Sequence, residues 1–280
     1  MASAASRGAL SHLRQALATL DKDKGFSLVD EDTQPLGLPA IDAALGGGLA
    51  CAALHELAPT AAAHFGAAAG FALALAALRT AGGQSALLIQ TDFAAREAGA
   101  FYGPGLGSSL GSSLGSGLDP GLDGFGLPMS RLILLRVPRP VDALWAFEEG
   151  LKSRGVAAVI AELPEAGEAA DFTATRRLTL AARTGGGLGL LLRHRPLPIA
   201  TAAATRWQVA SAPSTPDRFG GLGRTAFDLS LNRNRRGRCG RFIVQWDHHE
   251  RAFLPQALSV GMAATADDGS PDPRPFARTG

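Results

Sequence analysis

Residues Leu54 to Asp92 read "LHELAPTAAAHFGAAAGFALALAALRTAGGQSALLIQTD". An apolar strand, a loop, an Ala-rich helix of about residues 65–81 stopped by Gly82-Gly83, and the strand "SALLIQ" follow one another. Strand, loop and helix in that order form the frame in which nucleotide-binding proteins hold phosphate. Laid without gaps on the residues after the first strand, the pattern G-x-x-x-x-G-K-[ST] falls on "APTAAAHF". Ala58 and Ala63 then stand at the two glycine positions, His64 at the lysine and Phe65 at the hydroxyl residue. Glycine is needed there because the loop turns its N–H groups onto phosphate in conformations that a Cβ disfavours. Lysine supplies a long-reaching charge for the terminal phosphates, and the hydroxyl holds Mg²⁺. An imidazole is shorter and mostly uncharged at neutral pH, and a phenyl ring has no oxygen. Shifting the frame to Gly66 and Gly70 puts Phe71 at the lysine position. The stretch therefore keeps the frame of a phosphate site without its chemistry, and it predicts no nucleotide cofactor; the start of the helix near residue 65 retains only a weak attraction for anions.

The alternation continues outward. Strands are expected at 131–137, 156–163 and 187–194, with helices at about 140–153 and 168–183. The strands are apolar without alternation, as when helices cover both faces of a parallel sheet. From residue 206 the rhythm changes to strands alone, "RWQVASA" and "TAFDLSLNRNRRGRCGRFIVQWD", the latter a hairpin with a basic tip at 233–240. Upstream, Leu10, Leu13, Leu17 and Leu20 share one face of a short amphipathic helix, and Gly46-Gly47-Gly48 closes another near 41–45. The Gly/Ser-rich run 103–128 reads as a flexible surface insertion, and the tail 255–280 as disordered. The expected organisation is an N-terminal helix and linker over 1–34, an α/β domain over 35–254, and that tail.

The chain has 280 residues, 46% of them hydrophobic, enough for one large core. Its net charge of +2 is too small for nucleic-acid binding through overall field. No apolar run reaches transmembrane length without Gly, Arg or polar interruption, and the N-terminus lacks a signal peptide's apolar core. A cytoplasmic protein without membrane contact is expected. Cys51 and Cys239 have no His or Cys at ligand spacing and read as thiols.

The run "GLPAIDAALGGGLACAALHEL", Gly37 to Leu57, resembles the segment that precedes the phosphate loop in RecA/RadA ATPases. With the strand order, the insertion and the ending "LNRNRRGRCGRFIVQWD", the pattern resembles the ImuA family of RecA-like accessory proteins over about residues 35–250. The resemblance implies a RecA-like three-layer core, mostly parallel, with an N-terminal helix and a C-terminal antiparallel extension. It implies a role in SOS mutagenesis and translesion DNA synthesis, with an ImuB-like Y-family polymerase homologue, an error-prone replicative-type polymerase and RecA as partners. The degenerate loop makes the expected role that of a non-catalytic adaptor. Two other readings stay open: an ATP-dependent recombination or repair ATPase, and a cell-division inhibitor of the SulA type. RecA relatives carry acids for Mg²⁺ and for activating water at strand ends, and Glu162 and Asp92 stand at such places. Without lysine and hydroxyl they read as relics.

Elsewhere the signals are local. His248 and His249 in "WDHHE" are adjacent on a strand and point to opposite faces, so one metal cannot easily take both. No G-x-S-x-G elbow appears. Arg233, Arg235, Arg236, Arg238 and Arg241 fall within nine residues and form the strongest charge cluster. Arginine forks grip either DNA phosphate or a partner's carboxylates. Because the tip lacks stacking aromatics, it favours an acidic protein surface, with direct DNA contact as the alternative.

Overall fold

The computed structural model describes residues 8–13, 15–17, 32–102, 125–127, 129–163, 172–196, 199–214, 216, 221 and 223–256. Its strands are β1 (Thr33–Gln34), β2 (Leu49–Ala50), β3 (Leu54–Pro59), β4 (Ser85–Thr91), β5 (Leu132–Val137), β6 (Val156–Glu162), β7 (Leu188–Leu192), β8 (Thr205–Ser211), β9 (Thr225–Asn234), β10 (Gly240–Asp247) and β11 (Ala252–Pro255). Its helices are α1 (Pro39–Leu45), α2 (Phe65–Thr80), α3 (Asp92–Glu97), α4 (Pro140–Lys152) and α5 (Phe172–Gly185). Residues 8–13 and 15–17 are also helical. Most of the expected insertion and the chain beyond Gln256 lie outside the described residues.

Nine strands form one sheet in the order β11-β10-β9-β8-β3-β7-β6-β4-β5. The pairs from β8 through β3 to β5 are parallel, and β8 to β11 pair antiparallel. This is the expected three-layer α/β core, mostly parallel, with its antiparallel C-terminal extension. β3, β4, β6 and β7 are buried at every position because helices cover both faces. β8, one strand further on, alternates buried and half-buried residues instead.

Side chains alternate across each strand and so sort into two cores. On one face Leu57, Leu88, Ile160 and Leu190 pack with α2, whose buried Phe71 meets Trp207, Phe227 and Phe253 with ring centroids 5.6–5.9 Å apart. Removing the Phe71 ring would cost about 3–5 kcal/mol. The apolar character of α2 all round is thus used against the sheet. On the other face Leu54, Leu87, Val159 and Leu191 pack with α4 and α5, joined by Leu13 and Leu17 of the N-terminal helical segment.

Several details differ from the sequence reading. The insertion was drawn to Pro128, yet Leu127 is buried in the α2-side core and Phe125 packs against it. A short helix, α3, follows β4, capped by the Thr91 hydroxyl, which accepts from the Ala94 N–H at 3.1 Å. Gly48 has a φ of 142°, and a Cβ there would lie 2.7 Å from the Gln34 carbonyl, so the glycine run also lets β1 and β2 pair.

His55 on β3 has no solvent exposure. Its Nε2–H donates to the Ala50 carbonyl at 2.8 Å, and Nδ1 lies 2.7 Å from the Thr205 hydroxyl, which accepts the Trp207 indole N–H at 2.8 Å. Burial holds this imidazole down at about 4, against a smaller upward pull from the Ala50 hydrogen bond. Between pH 6.5 and that value the unfolded chain takes a proton that the folded one refuses, so stability falls as pH falls through this window. Urea unfolding at pH 5 should therefore show about 2 kcal/mol less stability than at pH 7 from this group. His55→Gln should flatten that difference, and an unchanged difference would mean that His55 is not held neutral.

Candidate functional site

The connection from β3 to α2 is shorter than a phosphate loop. β3 continues through Pro59, so Ala58 is a buried strand residue opposite Gln208 rather than part of a turn. The Thr60 N–H then donates to the Val209 carbonyl at 3.0 Å, and Ala62–His64 make a single 3₁₀ turn before Phe65 opens α2. No residue from 58 to 65 has a positive φ. The backbone therefore lacks the left-handed turns that would aim successive N–H groups at an anion. His64 Nδ1 accepts from the Ser211 N–H at 3.2 Å and lies 2.9 Å from its hydroxyl. The ring at the lysine position is held by β8, and Ala63 is exposed beside it.

Phe65, at the hydroxyl position, lies against His194 with ring centroids 4.3 Å apart. His194 follows the end of β7, and its Nε2 is 2.5 Å from Glu162 Oε1. The other carboxylate oxygen accepts from Gln90 Nε2 at 2.8 Å, and the same amide donates to the Gly99 carbonyl at 2.9 Å. Gln90 and Glu162 are direct partners on the parallel strands β4 and β6, so the sheet register brings them together. Glu162 has no solvent exposure, which makes such partners obligatory for a carboxylate. Phe65, His194, Glu162 and Gln90 thus fill the C-terminal end of the sheet on the α2 side. Asp92 is not among them: it opens α3 and pairs with Arg136 at 3.5 Å, both half exposed.

A second polar network, which the sequence reading missed, lies on the opposite face. Glu56 on β3 is buried, and its Oε1 accepts from Arg193 Nε at 2.5 Å. Its Oε2 accepts from the Thr201 hydroxyl at 2.9 Å and from Arg206 at 3.3 Å. Burial pulls the Arg193 guanidinium below its ordinary range, with Glu56 pulling the other way. The one signal in the sequence was a charged residue inside each of two otherwise apolar strand runs.

This network reaches the arginine hairpin. The Thr201 carbonyl accepts from Arg233 at 2.9 Å and more distantly from Arg235 at 3.4 Å. The Ala44 carbonyl at the end of α1 accepts from the Arg238 N–H at 3.0 Å and from the Asn234 side chain at 2.8 Å. A Cβ on Gly237 would stand 2.1 Å from that same carbonyl oxygen, so the tip sits flush on α1. Arg241 forks onto Asp228, whose carboxyl it holds below the usual range. Arg235, Arg236 and Arg238 are exposed. Cys239 beside them is exposed too, whereas burial pushes the Cys51 thiol up to about 12. His248 contacts Thr225 and the Phe125 ring, and His249 stands in solvent beside Glu250.

No protein-family model matches the chain. Two curated relatives, each named Protein ImuA, from two strains of Caulobacter vibrioides, are 40% identical over 134 residues, covering 44% of this chain and 53% of theirs. The matched stretch thus spans about half the length of those relatives, and across it the chain is similar to ImuA. Among solved structures, the RadB recombinase aligns over 80% of this chain and all of its own, with a TM-score of 0.49 and 16% identity.

Breaking the Glu56–Arg193 pair from one side leaves a charge buried without its main partner. Arg193→Met should lower stability by about 3–5 kcal/mol in urea unfolding. A loss below about 1 kcal/mol would show that the pair is dispensable.

Proposed function

We propose that the chain is a nucleotide-independent, RecA-like adaptor of SOS mutagenesis that works in translesion DNA synthesis through protein contacts. The observation that carries this reading is the filled phosphate place. His64 is engaged by Ser211, Phe65 covers His194, and Glu162 accepts hydrogen bonds on both oxygens from Gln90 and His194. A motor needs that carboxylate to orient Mg²⁺ or its water, and needs backbone N–H groups around the phosphates. The likeness to ImuA supports the setting of SOS mutagenesis; the partners proposed with it are an ImuB-like polymerase homologue, an error-prone replicative-type polymerase and RecA, and the proposed place is the cytoplasm.

An adaptor needs a contact surface, and the free edge of the sheet supplies one. Among the described residues β5 pairs with β4 on one side only. Its sequence, LILLRV, is apolar apart from the exposed Arg136 and holds no proline, and Leu134 is 43% exposed. Beside it lies a cavity of about 180 Å³ lined by Leu88, Ala100, Phe101, Leu134 and Leu135 together with the polar Gln90 and Arg136. An edge of this kind is a template for an added strand, whose main chain gives affinity and whose alternate side chains enter such pockets. On this reading the occupant is an extended segment of the polymerase-like partner.

Two measurements test the two halves of this reading. Isothermal titration with Mg-ATP should show no saturable heat up to millimolar ligand, and micromolar binding would return the chain to the motor class. Leu134→Lys should weaken co-purification with the polymerase-like partner by about 10-fold or more while leaving stability within about 0.5 kcal/mol, since the side chain is surface-exposed. Full retention of the partner would move the contact away from β5.

A further inference from the structure

The β9–β10 hairpin tip carries charge that neither the core nor the β5 edge uses. Its backbone is pinned to α1 through the Ala44 carbonyl by Arg238 and Asn234, and the Asn234 side chain also accepts the Arg236 N–H at 3.0 Å. Such a turn is pre-organised rather than a loosely solvated loop. Among the described residues no carboxylate pairs with Arg235, Arg236 or Arg238, whereas Arg241 is neutralised by Asp228. Behind the tip, Arg206 and Arg233 are cross-strand partners, and Glu56, which pairs with Arg206, is buried and shared with Arg193. Three exposed guanidinium groups within four residues are thus presented on a rigid ridge with their charge uncompensated.

We infer that this tip binds the phosphate backbone of nucleic acid through Arg235, Arg236 and Arg238. The sequence reading favoured an acidic protein surface because stacking aromatics are missing. That lack removes base stacking, but phosphate contacts do not require it. The surroundings of the tip weigh against a folded protein partner. A protein interface needs an apolar core, and the large exposed apolar residues among those described are Phe93, Tyr102, Leu134, Val141, Phe172 and Leu180, none of them on β8 to β11. Planar guanidinium forks suit phosphate oxygens, and a net charge of only +2 makes the local cluster, not the overall field, the source of attraction. Binding is therefore sequence-independent and steeply dependent on salt.

The test is fluorescence anisotropy of labelled single-stranded and duplex oligonucleotides of mixed sequence, titrated with the full chain across a salt series. Replacing Arg235, Arg236 and Arg238 by alanine should weaken binding about 10-fold or more at low salt and lower the log–log salt slope by about 2 to 3. Alanine at the exposed Arg154, Arg176 and Arg183 removes the same formal charge and should change affinity less than about 2-fold. If circular dichroism shows the triple tip variant unfolded, Arg236→Glu, whose side chain has no carboxylate partner to lose, carries the test and should weaken binding in the same direction. The inference is overturned if the unmutated chain binds neither oligonucleotide at low salt, or if both triple variants lose affinity equally. It is also overturned if the tip captures poly-glutamate but no oligonucleotide.

Discussion

A carboxylate removed from water must find hydrogen-bond donors for both oxygens, or folding pays several kcal/mol for it. Two glutamates of this chain meet that condition on opposite faces of one sheet. Glu56, in the middle strand β3, draws Arg193, Thr201 and Arg206 together and so fixes the segment that enters β8. Glu162, at the end of β6, takes Gln90 from β4 and His194 from beyond β7. The ring of Phe65 lies over His194 and closes the Glu162 group at the C-terminal end of the sheet.

The α2-side arrangement turns the frame of a phosphate site into a closed polar cluster. β3 runs on through Pro59, and a single 3₁₀ turn at Ala62–His64 leads into the helix in place of a glycine loop. On the proposed reading, side chains of the chain itself occupy the contacts that a nucleotide and its metal would need. The surface is divided as well: apolar exposure includes the β5 edge, and uncompensated arginine lies on the β9–β10 hairpin beyond β8. On the proposed reading this division would let the chain join a protein partner to nucleic acid without consuming nucleotide.

Much of the fold was legible because buried strands and helices carry their period and their stops in adjacent residues. The frame from Leu54 to Asp92, the basic hairpin, and the acid at the end of "AAVIAE" could be read directly. What could not be read depends on which strands become neighbours. Glu56 and Arg193 are 137 positions apart, and only the insertion of β7 beside β3 brings them together. His194 reaches Glu162 only because β7 lies beside β6. α3 escaped notice because six residues hold too little periodicity, and its Thr91 cap reads as the end of a strand. The pinning of the hairpin by the Ala44 carbonyl has no trace in the sequence beyond Gly237, whose lack of a Cβ permits it.

The central claim is that Phe65 and His194 hold each other over Glu162 where a nucleotide's phosphates and metal would otherwise stand. Isotope-edited nuclear Overhauser spectra of the full chain measure that contact directly, through cross-peaks between the Phe65 and His194 ring protons. The account predicts that these cross-peaks are present and keep their intensity and position when Mg-ATP is raised to millimolar concentration. Their loss or displacement on addition of Mg-ATP would show that the cluster opens to a nucleotide, contradicting it.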